Sequence, residues 1–162
     1  MSRCKYAIVT LIAIALTLAA TNLRAANPKK LDALETQALE VMKKKAAELN
    51  IAGVAVVSYA EGQTIQGWTS KMAVVGRMID PKASEKGNNL LGIAYAKSAE
   101  MAETLQDSGT AKRPPMTGEF GWQGGVIFKG KSGYIVVAFS GGKSEDDVQV
   151  SKAGLEVLKK GL

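Results

Sequence analysis

Apolar positions change their spacing several times along the chain, and each change marks an element. They first recur at helical intervals, at Leu31, Leu34, Ala38, Met42, Ala46 and Leu49, which describes a helix with one buried face. Asn27 can cap that helix and Pro28 suits its first position, so a helix is predicted over residues 28–49. Residues 51–59, with Val54, Val56 and Val57, read as a strand. Glu61-Gly62 is a turn, and residues 63–70, containing Trp68, read as the second strand of a hairpin. One more short strand fits near residues 73–76, and the Pro- and Gly-containing stretch 80–88 is a loop.

The helical period returns over residues 89–106, where Leu90, Leu91, Ala94, Tyr95, Ser98, Met101, Ala102 and Leu105 share one broad face. A long loop, residues 108–121, follows, with Gly109, Pro114, Pro115 and Gly118; its length suits a functional lid. Val126, Ile127 and Phe128 form a strand closed by Gly130 and the polar Lys131-Ser132-Gly133. The almost unbroken apolar run over residues 134–139 predicts a strand buried on both faces. Ser140-Gly141-Gly142 then turns the chain into a last helix, with Ser144 as N-cap and Asp147 in the capping-box position. Its acidic start, Glu145 to Asp147, and basic end, Lys159-Lys160, agree with the helix dipole. Two apolar rows, Val148–Leu155–Leu158 and Val150–Ala153–Val157, wedge this helix between a sheet and a second layer.

The first 25 residues stand apart. A basic start, Arg3 and Lys5, precedes an uncharged apolar run from Tyr6 to Ala20, shorter than the roughly 20 residues that span a bilayer. With small residues after it, residues 1–25 read as a signal peptide and residues 27–162 as the exported domain, periplasmic or extracellular. An uncleaved signal anchor is the alternative. Removing residues 1–25 takes away Arg3, Lys5 and Arg24 but no acid, which lowers the net charge from +6 to +3. That mild excess, spread along the chain, argues for no nucleic-acid partner but suits an anionic ligand.

Composition narrows the chemistry further. The chain has no histidine, and its one cysteine, Cys4, lies in the leader. Imidazole acid–base catalysis, a Ser-His-Asp triad, thiolate attack and Cys- or His-ligated zinc are thereby excluded for the exported domain. Whether the domain is an enzyme stays open, with binding favoured over catalysis. In the long loop Met116, Phe120 and Trp122 either cover a sheet edge or wall a flat apolar ligand.

The C-terminal third carries a resemblance. Gly124-Gly125, Gly133, Ser140-Gly141-Gly142, Asp146 and Ala153 follow one another in the order and spacing of the GlcG/HbpS-like haem-binding family, sometimes described as haem-degrading. Arg77-Met78 and the run Ala94-Tyr95-Ala96-Lys97-Ser98-Ala99 also resemble that family, over about residues 31–158. The resemblance implies an α/β (α+β) profilin-like sandwich, an antiparallel five-stranded sheet flanked by helices. It also implies haem as bound ligand, a homo-oligomer, and a carrier, scavenger or sensor-accessory role beside a membrane receptor or sensor. Oxidant-dependent haem degradation and a non-catalytic oligomerising role are the alternatives. On that reading Arg77, Lys97 and Arg113 are candidates for the propionates, Lys97 with its stem on the flank of the apolar face and its ammonium in a cleft. Met116 and Trp122 would wall the ring. The axial inventory is Tyr59, Tyr95, Tyr134, Met78 and Met116.

Overall fold

A sheet forms the centre of the fold because two segments, residues 53–60 and 133–140, are buried on both faces. The computed structural model describes residues 27–82 and 86–162, so the expected leader, with Cys4 in it, lies outside the described residues. The elements run α1 (Pro28–Glu48), β1 (Gly53–Glu61), β2 (Thr69–Val75), β3 (Ile79–Asp80), β4 (Asn88–Asn89), α2 (Leu90–Thr104), β5 (Gly125–Lys129), β6 (Gly133–Ser140) and α3 (Ser144–Gly161). The antiparallel sheet has the order β2-β1-β6-β5, and β3 pairs with β4 in a separate two-stranded ladder.

β1 and β6 lie side by side at the centre, with Val57 opposite Val137 and Tyr59 opposite Ile135. Every residue of β6 is buried, as expected of an apolar run with helices on both faces. One face carries Ala55, Val57, Ile135, Val137 and Phe139, packed against Leu39 and Met42 of α1 and Val150 and Leu158 of α3. The opposite face meets α2 in two patches: Val54 and Val56 against Leu90 and Ile93, and Val136 and Ala138 against Met101. α1 lies over β1 and β2 and α3 over β5 and β6 on this same face, so the two apolar rows of α3 meet the sheet and the neighbouring helix rather than wedging it between two layers.

The structure departs from the sequence-based expectations in four further places. The expected strands at residues 63–70 and 73–76 are one strand, Thr69–Val75, in register with β1 from Thr69 opposite Tyr59 to Val75 opposite Gly53. The intervening residues form a wide connection rather than a tight hairpin turn, and the main sheet therefore has four strands, not five. The loop expected at 80–88 is closed at its two ends by the β3–β4 ladder, Ile79 opposite Asn89 and Asp80 opposite Asn88. At α3 the N-cap is Lys143, without a side-chain bond, and Ser144 is the first helical residue. Asp147 turns inward instead of capping Ser144. Finally, the buried face of α2 is rotated from the expected one: Ile93, Lys97 and Glu100 are buried, while Leu105 is exposed and left-handed (φ 54°).

Candidate functional site

Where β6 ends, Ser140-Gly141-Gly142 leads directly into α3, and the start of α2 lies alongside. Between them is a cleft of about 160 Å³, bounded by Asp80 and Asn88 of the small ladder, Leu90, Ile93 and Lys97 of α2, Trp122 and Gln123 of the long loop, and Ser144 and Asp147 of α3. Two helix N-termini, capped at Asn89 and Lys143, border the same hollow. Asn89 Oδ1 accepts the Gly92 N–H at 3.0 Å, which satisfies one of the donors a helix start leaves open.

Lys97 and Asp147 form the floor. Lys97 Nζ donates to Asp147 Oδ2 at 2.8 Å and to the Phe139 carbonyl at 2.8 Å, with both side chains at least nine-tenths buried. Asp147 Oδ1 also accepts the Gly142 N–H at 2.8 Å, so one carboxylate fixes both the lysine and the glycine elbow. Burial pulls the Lys97 ammonium below its ordinary pKa, and the facing Asp147 charge pushes it back. Burial likewise raises Asp147, against the opposing pull of Lys97 and the elbow amides. The approach is close because Gly124 (φ 136°) lies against the pair, where a Cβ would collide with Lys97 Nζ. The Gly124 carbonyl accepts from Ser151 Oγ at 2.7 Å and from the Phe139 N–H at 3.0 Å. Lys97 thus lies within the buried face of α2, not on its flank, and Asp147 neutralises its charge inside the protein.

Arg77 stands at the rim. Its guanidinium donates to the Gly141 carbonyl at 3.2 Å and pairs with Asp80 at 2.9 Å, yet its side chain stays 42% exposed. Arg113 is committed elsewhere, with Glu119 held bidentately at 2.7 and 2.8 Å and Glu103 on its second nitrogen. Those bonds, with the Met116 N–H, hold the Glu119 carboxyl down to about 2 and raise Arg113 above the usual guanidinium range. Arg113 therefore cross-links the long loop to α2.

That loop is fastened at several points. Ser108 Oγ accepts the Gly125 N–H at 2.8 Å and Asp107 Oδ1 the Ile127 N–H at 2.9 Å, so side chains cover the outer edge of β5. Glu100 accepts the Gly109 N–H at 2.8 Å from beneath. On this frame Phe120 and Trp122 stack at 4.8 Å between ring centroids, each 46% exposed, with Met116 exposed beside them in the chain. Met78 and the strongly exposed Ile79 adjoin Asp80 on the cleft's other wall. The tyrosine hydroxyls are engaged elsewhere: Tyr59 with Ser132, Tyr95 with Ser70, and Tyr134 with the Gln63 carbonyl.

Of the sequence-derived candidates, Lys97 and Trp122 line one cleft, Arg77 sits on its rim, and Met116 and Arg113 lie along the loop that supplies Trp122. The pairing of Asp147 with Lys97 and of Glu119 with Arg113 escaped the sequence reading, which placed Asp147 only as a capping residue. The Glu119 pairing carried a local signal, an acid six residues after Arg113; the Asp147 pairing carried none, its partner Lys97 being 50 residues away. Among the described residues no cluster of Cys, Asp and Glu is arranged to hold a metal ion, and no helix is long and apolar enough to cross a membrane.

No protein-family model and no curated protein sequence matches the chain. Among solved structures the fold is similar to that of PduOC in a haem complex, with a TM-score of 0.53 and 16% identity over 82% of this chain and 94% of that one.

Proposed function

We propose that this chain is an exported protein that binds haem or a related tetrapyrrole and acts as a carrier, scavenger or sensor accessory. The observation that carries the reading is the stacked, half-exposed Phe120–Trp122 pair beside the cleft, in a fold that PduOC presents in a haem complex. A cleft of about 160 Å³ is below the roughly 300–1,000 Å³ of pockets that enclose a ligand. The macrocycle would therefore lie across the mouth, flat against the aromatic pair, where burial of its apolar face supplies the affinity. Arg77 is the one proposed propionate partner with a partly exposed side chain at this rim. Met78 and Met116 are exposed residues and suit weak iron ligation better than the engaged tyrosines. Bound haem would supply iron redox chemistry; the residues here would hold and orient the ring. Haem degradation, the alternative activity, would then come from oxidant acting at the iron.

The exposed loop patch also favours a second reading, a surface for self-association or for a membrane receptor or sensor. Titration of the purified protein with hemin separates the two. A Soret shift saturating at micromolar hemin is expected, and its absence would overturn the tetrapyrrole reading. Added peroxide bleaching the bound Soret band no faster than free hemin would identify a carrier rather than a degrader.

A further inference from the structure

At the opposite end of β6 a larger hollow serves none of the roles above. It measures about 460 Å³ and lies between the β5–β6 turn and the C-terminal end of α3. Its apolar lining is Phe128, Ile135, Leu162 and the Tyr59 ring, and Lys129, Lys131 and Lys159 surround it. The three ammonium groups differ in commitment. Lys159 pairs with Glu156 at 2.8 Å and rests over the Phe128 ring at 5.0 Å. Lys129 lies 5.5 Å from the Tyr134 ring centre, and neither it nor Lys131 has a carboxylate partner among the described residues. Beneath them the Tyr59 and Ser132 hydroxyls share one hydrogen bond of 2.9 Å, with Tyr59 94% buried by its 6% exposure. Two hydroxyls joined by one hydrogen bond leave a second O–H to donate.

We infer that this hollow is a second binding site, for a monocarboxylate with an apolar tail. The tail lies against Phe128, Ile135 and Leu162, and the head meets Lys129, Lys131 and the spare hydroxyl of the Tyr59–Ser132 pair. Size, an apolar interior and a few convergent polar groups are the features of a small-molecule site. A charge-assisted bond from an unpaired ammonium is stronger than a neutral one, and the lysines also draw an anion in. The site shares no residue with the cleft at the glycine elbow, so it stands whether or not that cleft takes a tetrapyrrole.

The test is calorimetric titration of the purified full chain with sodium octanoate, alongside octanol as the uncharged analogue. Saturable octanoate binding is expected, with octanol at least tenfold weaker; equal affinities would remove the role of the lysines and overturn the site. The Lys129→Glu/Lys131→Glu double variant should lose at least tenfold in octanoate affinity, and Lys112→Glu, on the distant loop, should lose none. Amide resonances of Gly130 and Gly133 should move on octanoate addition, and shifts confined to other regions would also overturn the assignment. In the same double variant a hemin Soret shift, if the wild type shows one, should persist. Displacement of bound hemin by octanoate would contradict two separate sites.

Discussion

Lys97 and Asp147 show how much one buried pair decides. Two charges removed from water cost several kcal/mol each, and only a close partner with further hydrogen bonds repays that. Here the repayment comes from 2.8 Å contacts to each other, to the Phe139 carbonyl and from the Gly142 N–H. Removing one partner leaves the other charge buried and alone. Lys97→Met or Asp147→Leu should therefore each destabilise the fold by about 3–5 kcal/mol, measured by urea unfolding. The combined variant should lose less than the sum of the two, because no orphaned charge remains. An additive double variant would show that the two side chains contribute separately. Gly124→Ala probes the same point through the backbone, since φ 136° and the crowding of Lys97 both oppose a Cβ. It should act like a weakened pair rather than like a simple loop change.

The long loop behaves as a built element held by polar anchors. Its Glu119 has a carboxyl pKa depressed to about 2 from the ordinary 4.5, chiefly by the Arg113 bond. A depressed carboxylate contributes stability above its unfolded value and loses it as pH falls toward the folded one. The loop should therefore loosen between about pH 4.5 and pH 2, seen as a change in Trp122 emission in a Trp68→Phe background. Glu119→Gln should abolish that step, and its persistence in the variant would point to other carboxylates. Gly109 is the second anchor: at φ 70° its Cβ would lie 2.6 Å from the Gln123 nitrogen. Gly109→Ala should cost at least about 1–3 kcal/mol of strain and release the Phe120–Trp122 segment.

The elements differ in how far they were legible. β6 and α3 could be read because an unbroken apolar run and a charge-polarised helix have few alternative homes. β2 could not, because Gln63 to Trp68 mixes polar and aromatic residues as an edge strand does, while the strand itself starts at Thr69. For the same reason Lys97 reads as a flank residue with its ammonium free in a cleft until Asp147, from another element, is placed beside it. Arg113 was legible as a cation but not as a spent one.

At the scale of the whole molecule, the two ends of β6 carry two separate hollows. The end at Ser140 carries a small polar cleft beneath an aromatic shelf, and the end at Gly133 carries a wider hollow surrounded by lysines. The shelf is the better test of the tetrapyrrole reading because it can be removed without unmaking the fold. Phe120 and Trp122 are each 46% exposed, on a loop whose anchors are other residues. Aromatic side chains offer about 150–250 Å² each, so roughly 200 Å² of ring surface stays open to a ligand. At about 25 cal/mol per Å² that area is worth at most ~5 kcal/mol, and ordering costs on binding consume part of it. Phe120→Ser/Trp122→Ser should consequently weaken hemin binding by at least about tenfold, near 1.4 kcal/mol. The same variant should change unfolding stability by less than about 1 kcal/mol, as substitutions outside a core do. Unchanged hemin affinity with an intact fold would move the macrocycle off the shelf. A collapse in stability would instead show that the stacked pair belongs to the core, and that the loop is a cover rather than a binding surface.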